Sequence, residues 1–183
     1  MIEPEDKVAA VVDAAGGTLV SRVRLQKTVY LLDQLGLASG FRFEYHHYGP
    51  YSRDLDLATA DARALGVVQE DILHRAGDGA SYSRFTLPEP RSSKDEAFGP
   101  LGRPHATELV QKFVREHVTV LELAATVDWL WRYEDCADWR AEITRRKPMK
   151  VGSGRLDRAI QLLHALDLPP RAPGGEAVAA RTG

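Results

Sequence analysis

Apolar residues recur at helical spacing in three runs of the N-terminal part of the chain. The first run begins at Pro4 and stops at the glycine pair 16–17. The second follows Ser21, and the third lies between Ser52 and Gly66. Serine side chains accept hydrogen bonds from the free N–H groups at a helix start, and glycine commonly follows a helix end. The pattern therefore predicts three short helices.

The segments between and after these runs have the pattern of strands. From Phe41 to Tyr48, one set of positions is mostly aromatic and alternates with a more polar set. A period of two predicts a short strand, which Gly49 and Pro50 would end. Further on, VVQEDIL and YSRFTL flank a glycine-rich turn and predict a β-hairpin. Three helices followed by a hairpin is the order of a winged helix-turn-helix.

The second half of the chain is predicted to be helical. Residues 88–104 are rich in proline, glycine and charge, as is typical of a linker. Apolar stripes at helical spacing follow over 107–118, 120–131 and 156–166, and the remaining residues have the composition of a disordered tail. We expect a mostly helical α+β protein in which two units pack together. Its predicted parts are a winged-helix-like unit at 1–87, a linker loop at 88–104, a helical unit at 105–168 and a disordered tail at 169–183.

Composition and charge limit the class of function. The chain has 24 Lys and Arg residues against 26 Asp and Glu residues, so its net charge of −2 gives no overall attraction to nucleic acid. Its single cysteine, Cys136, cannot form a disulfide within the chain. The start of the chain lacks the features of a signal peptide, and no apolar run approaches the roughly 20 residues of a membrane span. We expect a cytoplasmic protein without a cofactor or a metal.

The stretch FRFEYHHYGPYSRDL, residues 41–55, concentrates residue types that also serve catalysis and metal binding. On a strand, His46 and His47 would point to opposite faces and could not share a metal. One is therefore expected to pack inward and the other to be exposed. Ser52 lacks the flanking glycines of a catalytic serine elbow, and its position before RDLDLA predicts a helix cap. No catalytic residue is predicted, and an enzyme is the third hypothesis.

The densest local charge lies between Arg140 and Arg158, where seven basic residues stand against two acidic ones, a net +5 in nineteen residues. With the GSG sequence at 152–154, this basic segment could contact phosphates. Its candidate nucleic-acid-binding residues are Arg140, Arg145, Arg146, Lys147, Lys150 and Arg155. By contrast, three aspartates in the predicted third helix would repel phosphates from the element that reads DNA in a helix-turn-helix.

Two motifs in order resemble those of a known family. LQKTVYLLDQLG at 25–36 and FRFEYHHYGPYSRDLDLATADARALGVV at 41–68 are similar to the YwgA-like proteins and to the related Panacea domain of SocA-type antitoxins. Thr28 stands where this resemblance leads us to expect an aliphatic residue. The second half is more similar to the YwgA-like group. The motif residues shared with these families are Gln26, Lys27, Tyr30, Gly49, Pro50 and Ser52.

The Panacea resemblance implies a bacterial or phage protein that binds and neutralises a toxin partner without catalysis. We rank first a non-enzymatic protein-interaction module of the antitoxin or phage-defence accessory kind, which binds no membrane. The alternative is a winged-helix nucleic-acid-binding regulator that uses residues 140–158. Interface energy concentrates in large aromatic side chains. We therefore expect four aromatic residues to contact a partner wherever they are exposed: Tyr48, Tyr51, Trp129 and Trp139.

Overall fold

The structure is a computed structural model that describes residues 2–89 and 95–171. Helices predominate over these residues, and two small antiparallel sheets complete the fold. The predicted α+β class with mostly helical content is confirmed. Across the described part of the chain, no helix is long and apolar enough to cross a membrane.

Short strands alternate with helices in the N-terminal part. Ser21 caps α2 and Ser52 caps α3, each by accepting a hydrogen bond from the backbone N–H three residues on. Strand β1 was not predicted, because it has three residues and its pairing partner lies far along the chain. The elements are α1 (Pro4–Ala14), β1 (Thr18–Val20), α2 (Arg22–Gln34), β2 (Glu44–His46), β3 (Gly49–Tyr51), α3 (Arg53–Ala64), β4 (Gln69–His74) and β5 (Ser81–Thr86).

The larger sheet has the strand order β1-β5-β4, with both pairs antiparallel. Leu19 of β1 lies opposite Phe85 of β5, and both side chains are buried. The predicted hairpin of VVQEDIL and YSRFTL is therefore present as β4–β5, and β1 adds a third strand beside it. The order of helices and hairpin agrees with the predicted one, and the winged-helix assignment itself stays a prediction.

The predicted strand from Phe41 to Tyr48 is wrong in its extent. Only β2 pairs in a ladder, and its partner β3 follows directly after a turn at residues 47–48. Gly49 and Pro50 therefore continue the small sheet rather than end it. The turn requires a φ of +82° at Gly49, a conformation that glycine adopts at little cost.

Between residues 103 and 171 the structure has four α-helices: α4 (Arg103–Arg115), α5 (Val118–Arg132), α6 (Trp139–Arg146) and α7 (Arg155–Ala165). The predicted linker loop at 88–104 is partly helical, since a 3₁₀ segment spans Asp95–Leu101 and α4 already begins before Pro104. Proline suits the first turn of a helix, and buried Phe98 holds the 3₁₀ segment on the core. Residues 90–94, and residues 172–183 of the predicted tail, lie outside the described residues.

Buried apolar side chains from both predicted units form one hydrophobic cluster. Helix α5 lies at its centre and contacts α2, α6, α7 and strand β3. Three polar side chains of α5 are also buried: Glu122, Thr126 and Asp128. The division of the chain into two units stays a prediction, while the packing brings these polar groups beside the β2–β3 hairpin.

Candidate functional site

The motif residues of α2 bind the backbone of the β2–β3 hairpin. The side-chain amide of Gln26 donates from Nε2 to the Ser52 carbonyl oxygen at 2.9 Å, and its Oε1 accepts from the Ser52 N–H at 2.8 Å. The Lys27 ammonium donates to the carbonyl oxygen of Pro50. Gln26, Lys27 and Ser52 are all buried. The helix therefore fixes the chain at 50–52 through side chains that satisfy buried backbone groups.

The other motif residues attach the hairpin and α2 to α5. Gly49 lies against α5 so closely that a Cβ at this position would collide with the hydroxyl of Thr126. The Tyr30 hydroxyl donates to Asp128 Oδ2 at 2.7 Å, and Arg132 binds the same carboxylate at 3.0 Å. Burial raises the pKa of Tyr30, and the negative charge of Asp128 raises it further. Tyr30 therefore stays protonated and acts as a hydrogen-bond donor.

A buried charge cluster lies beneath the hairpin turn. The Glu122 carboxylate of α5 accepts hydrogen bonds from Lys147 and Lys150, each at 2.7 Å. Lys147 also donates to the carbonyl oxygen of His47 at 3.0 Å, which ties the chain after α6 to the turn. We call Glu122, Lys147, Lys150 and the neighbouring Lys27 the Glu122 cluster.

Lys27 has an altered proton affinity within this cluster. Burial lowers the pKa of Lys27 to about 7. The charge of Glu122 opposes that shift, while the positive charges of Lys147 and Lys150 add to it. The cluster thus contains three amino groups for one carboxylate, and Lys27 is the most buried of the three.

Aromatic side chains of the hairpin and of the C-terminal end of α5 lie near the cluster. The rings of Tyr45 and Trp129 are 6.4 Å apart between centroids, and those of Trp129 and Tyr133 are 4.6 Å apart. Tyr48 is 51% exposed in the turn, with the Lys150 ammonium 4.8 Å from its ring centroid. Met149 precedes Lys150 in the chain, and its side chain is 89% exposed. We call these side chains the aromatic surface, which comprises Tyr45, Tyr48, Trp129, Tyr133 and Met149.

The structure leaves two of the predicted partner-contact residues accessible. Tyr48 is exposed and Trp129 is half-buried, so both can be reached. Tyr51 is also half-buried but stacks on His46, away from Trp129. Trp139 is only 3% exposed because its indole packs into the core, where Nε1 donates to the backbone oxygen of Arg171. Trp139 therefore does not meet the condition of exposure.

The sequence reasoning missed two exposed members of the aromatic surface. Tyr133 is 55% exposed and lies one helical turn after Trp129, so the four-residue spacing was a signal for it. Met149 lies in the basic segment, in which the charged residues dominate the sequence pattern. Both side chains extend the surface beyond the residues that the sequence singled out.

The basic segment is largely neutralised by its own two carboxylates and by three from other parts of the fold. Arg145 and Arg146 both bind Glu142, and Arg146 also binds Glu134 at 2.6 Å. The other pairs are Lys147 and Lys150 with Glu122, Arg140 with Asp157, and Arg158 with Glu116. Six cations thus pair with five carboxylates, and Arg155 brings the excess of positive charge in the segment to two. Arg155 begins α7 and is half-buried.

The two histidines have structural neighbours of their own. Both are exposed, so the expectation that one would pack inward is wrong. The reason is local, because His47 lies in the turn and not in a strand. His46 contacts the ring of Tyr51, and His47 contacts the ring of Tyr48, each at 5.0 Å between centroids. Over residues 2–89 and 95–171, no three His, Cys, Asp or Glu side chains are placed to hold a metal ion.

Fold and site together describe a small α+β protein with an aromatic surface held on a buried polar frame. No family model matches the chain. The uncharacterized protein YwgA of Bacillus subtilis (strain 168) is 26% identical over 151 residues, which are 82% of this chain and 89% of that protein. This match supports a YwgA-like family for the chain, as the two motifs predicted. The relation to the Panacea domain stays a prediction.

A second relative is a longer protein. The DNA ADP-ribosyl glycohydrolase of Thermus aquaticus (strain ATCC BAA-2747 / Y51MC23) is 27% identical over 128 residues. The match covers 67% of this chain and 34% of that protein. The chain therefore corresponds to about a third of the Thermus protein.

Proposed function

We propose that this chain is a non-enzymatic protein-interaction module whose partner docks on the aromatic surface. The observation that carries the proposal is a set of exposed side chains at the hairpin turn and the end of α5. Tyr133 packs on the half-buried Trp129, while Tyr48 and Met149, both more than half exposed, lie next to Lys150. Tyrosine and tryptophan dominate the binding energy of protein interfaces, and methionine is enriched there. Exposed apolar side chains that lie together mark interaction sites more often than scattered ones do.

The frame beneath this surface favours binding. Gln26, Lys27 and Gly49 fix the β2–β3 hairpin to α2 and α5, so the turn that carries Tyr48 is held in place before a partner arrives. A preorganised surface loses less conformational entropy on binding than a mobile loop does. The motif residues thus have a structural role.

One of the comparisons supports a module that also occurs within a longer protein. A region similar to this chain makes up about a third of the Thermus aquaticus relative, which is consistent with a unit that works beside other parts of a longer protein. The more specific role of an antitoxin or phage-defence accessory protein rests on the Panacea resemblance. The paired state of Arg145, Arg146 and Lys147 argues against the nucleic-acid alternative, because cations that already pair with carboxylates neutralise phosphates less effectively.

Affinity capture from extract of the native host tests the proposal. The tagged wild-type chain is compared with Tyr48→Ala/Tyr133→Ala and with Leu65→Ala/Ile72→Ala, which removes two exposed apolar side chains outside the aromatic surface. Loss of two aromatic contacts of about 1–2 kcal/mol each predicts at least a tenfold lower recovery of the partner. The control variant should recover as much partner as the wild type.

Two results would contradict the proposal. Equal recovery of the same proteins by the wild type and by Tyr48→Ala/Tyr133→Ala would place the binding elsewhere. Recovery of nucleic acid alone, sensitive to salt, would favour the alternative function.

A further inference from the structure

The chemistry of the Glu122 cluster indicates what kind of partner fits the aromatic surface. We propose that this surface binds an acidic peptide segment, one carboxylate of which pairs with Lys150 while an adjacent apolar side chain packs against Tyr48 and Met149. This inference rests on the proposed function and specifies the partner's chemistry.

The cluster has an excess of positive charge. Lys147 is 5% exposed, and the Glu122 carboxylate that pairs with it also pairs with Lys150. Glu122 therefore serves as the counterion for more than one ammonium group. Buried charges are stable only when they are paired, so a second negative charge beside the cluster would be favourable.

The position of Lys150 makes such pairing possible from outside. Its side chain is 34% exposed, whereas that of Glu122 is 5% exposed. The Lys150 ammonium lies above the ring of Tyr48, at the rim of the aromatic surface. An ammonium group has three N–H donors, and the two bonds to Glu122 leave one of them for an incoming carboxylate.

The other charges of the hairpin are compatible with an acidic segment. Glu44 is the exposed acid of β2, and it pairs in register with Tyr51 at the open end of the hairpin, away from the turn. On the other side, Glu134 is already bound by Arg146. An acidic residue placed next to Lys150 is therefore attracted by the positive charge of the cluster. It is not repelled by Glu44 or by an unpaired Glu134.

A peptide fits this surface better than a nucleic acid does. Nucleic acids gain affinity from several phosphate contacts in a row, and the arginines next to Lys147 are engaged by Glu134 and Glu142. One accessible ammonium beside exposed Tyr48 and Met149 matches a carboxylate next to an apolar side chain. Such a pair combines electrostatic complementarity with an apolar anchor.

The test selects peptides from a random phage-displayed library on the immobilised full chain and measures their affinity by fluorescence anisotropy. We expect enriched peptides to carry Asp or Glu next to an aromatic or aliphatic residue. Their affinity should fall about tenfold or more with Lys150→Glu and with Tyr48→Ala, and it should fall far less with Lys150→Arg, which keeps the charge.

Carbodiimide coupling gives a second readout that does not depend on the charge-reversal variant folding normally. The reagent activates a carboxyl group, which then forms an amide bond with a lysine amine in contact with it. The acidic residue of the selected peptide should therefore become attached to Lys150. The attachment should disappear in Lys150→Arg although the peptide still binds. Mass spectrometry of the digested adduct identifies the joined residues.

The possible outcomes separate the two proposals. Selected peptides that need Tyr48 for binding but are neutral or basic would contradict the proposal of an acidic partner. Peptides whose affinity does not change with Lys150→Glu would contradict it as well. Either result would leave the proposed function unaffected. A failure to select any Tyr48-dependent peptide would overturn both. If a single-stranded DNA oligonucleotide binds more tightly than the selected peptides and competes with them, the ligand of this surface is a nucleic acid and not an acidic peptide.

Discussion

The side-chain amide of Gln26 pairs with both backbone polar groups of Ser52, accepting from N at 2.8 Å and donating to O at 2.9 Å. A glutamine on a helix thus takes the place of a neighbouring strand for one residue of the hairpin. Because both residues are buried, water cannot substitute for these bonds. The hairpin turn that presents Tyr48 depends on this pairing for its position.

Gln26→Ala is expected to destabilise the fold. The Ser52 carbonyl keeps the N–H of Asp56 as a partner, whereas the buried Ser52 N–H loses the acceptor that the Gln26 side chain provides. An unsatisfied buried donor costs about 2 kcal/mol of unfolding free energy. Urea denaturation measures the loss, with the exposed Gln161→Ala on α7 as the control. Equal midpoints for the two variants would show that the pairing does not stabilise the hairpin.

The stability of the protein should depend on the protonation of Lys27. Its pKa is lowered to about 7 in the fold, mainly by burial, while the unfolded chain keeps the ordinary lysine value of about 10.5. Between these values the unfolded state binds one more proton, so stability rises with pH, by about 1 kcal/mol per unit. Below pH 7 both states are charged and the effect ends.

Lys27→Met removes this pH dependence. The difference in unfolding free energy between the wild type and Lys27→Met should therefore grow from pH 7 to pH 9, with the wild type gaining. Urea titrations at a series of pH values measure it. Lys112→Met, at an exposed position of α4, is the control, and its unfolding free energy should change with pH in the same way as that of the wild type. Parallel curves for Lys27→Met as well would mean that Lys27 stays protonated in the fold.

Local signals predicted much of the fold. The caps Ser21 and Ser52 and the apolar stripes of α2 and α3 depend on residues within a few positions of one another, so the sequence shows them directly. Trp139 is different, because it stands in a polar stretch and is buried only through contacts that α6 makes in the fold. Its surroundings along the chain contain no sign of that burial.

The candidate site could be predicted only in part for the same reason. The motif residues were found by resemblance, but their contacts join α2 to residues more than twenty positions away. The basic segment was read as a net +5, since the sequence does not show that Glu122 and Glu134 pair with it. Charge counted along a chain overstates the charge of a surface when the counterions come from another helix.

Thr28→Val is expected to stabilise the protein. Thr28 is fully buried, and its hydroxyl has no hydrogen-bond partner in the described structure. Valine has almost the same shape and removes the unsatisfied group, which predicts a gain of about 1 kcal/mol in unfolding free energy. Thr59→Val is the matched control, since the buried Thr59 hydroxyl donates to the Leu55 carbonyl at 2.7 Å. A gain in the control equal to that of Thr28→Val would attribute the effect to the added apolar methyl group and not to the loss of an unsatisfied hydroxyl.

Gly49→Ala should destabilise the protein through two separate effects. An L-residue at a φ of +82° costs about 1 kcal/mol, and the new methyl group collides with the Thr126 hydroxyl. We expect a total loss of about 3 kcal/mol. Gly66→Ala isolates the first effect, because φ is +68° there and the space around a Cβ is open, so its loss should be about 1 kcal/mol.

A double-mutant cycle separates the collision from the backbone strain. Thr126→Ala removes the hydroxyl, and the nearest remaining atom, the Thr126 Cβ, is 3.5 Å from the position of the new methyl group, an ordinary contact distance. Gly49→Ala/Thr126→Ala should therefore lose about 1–2 kcal/mol less than the sum of the two single variants. Urea denaturation of all four proteins gives this coupling energy. Additive losses would show that the hairpin moves away from α5 without cost, in which case the frame beneath the aromatic surface is not rigid at Gly49.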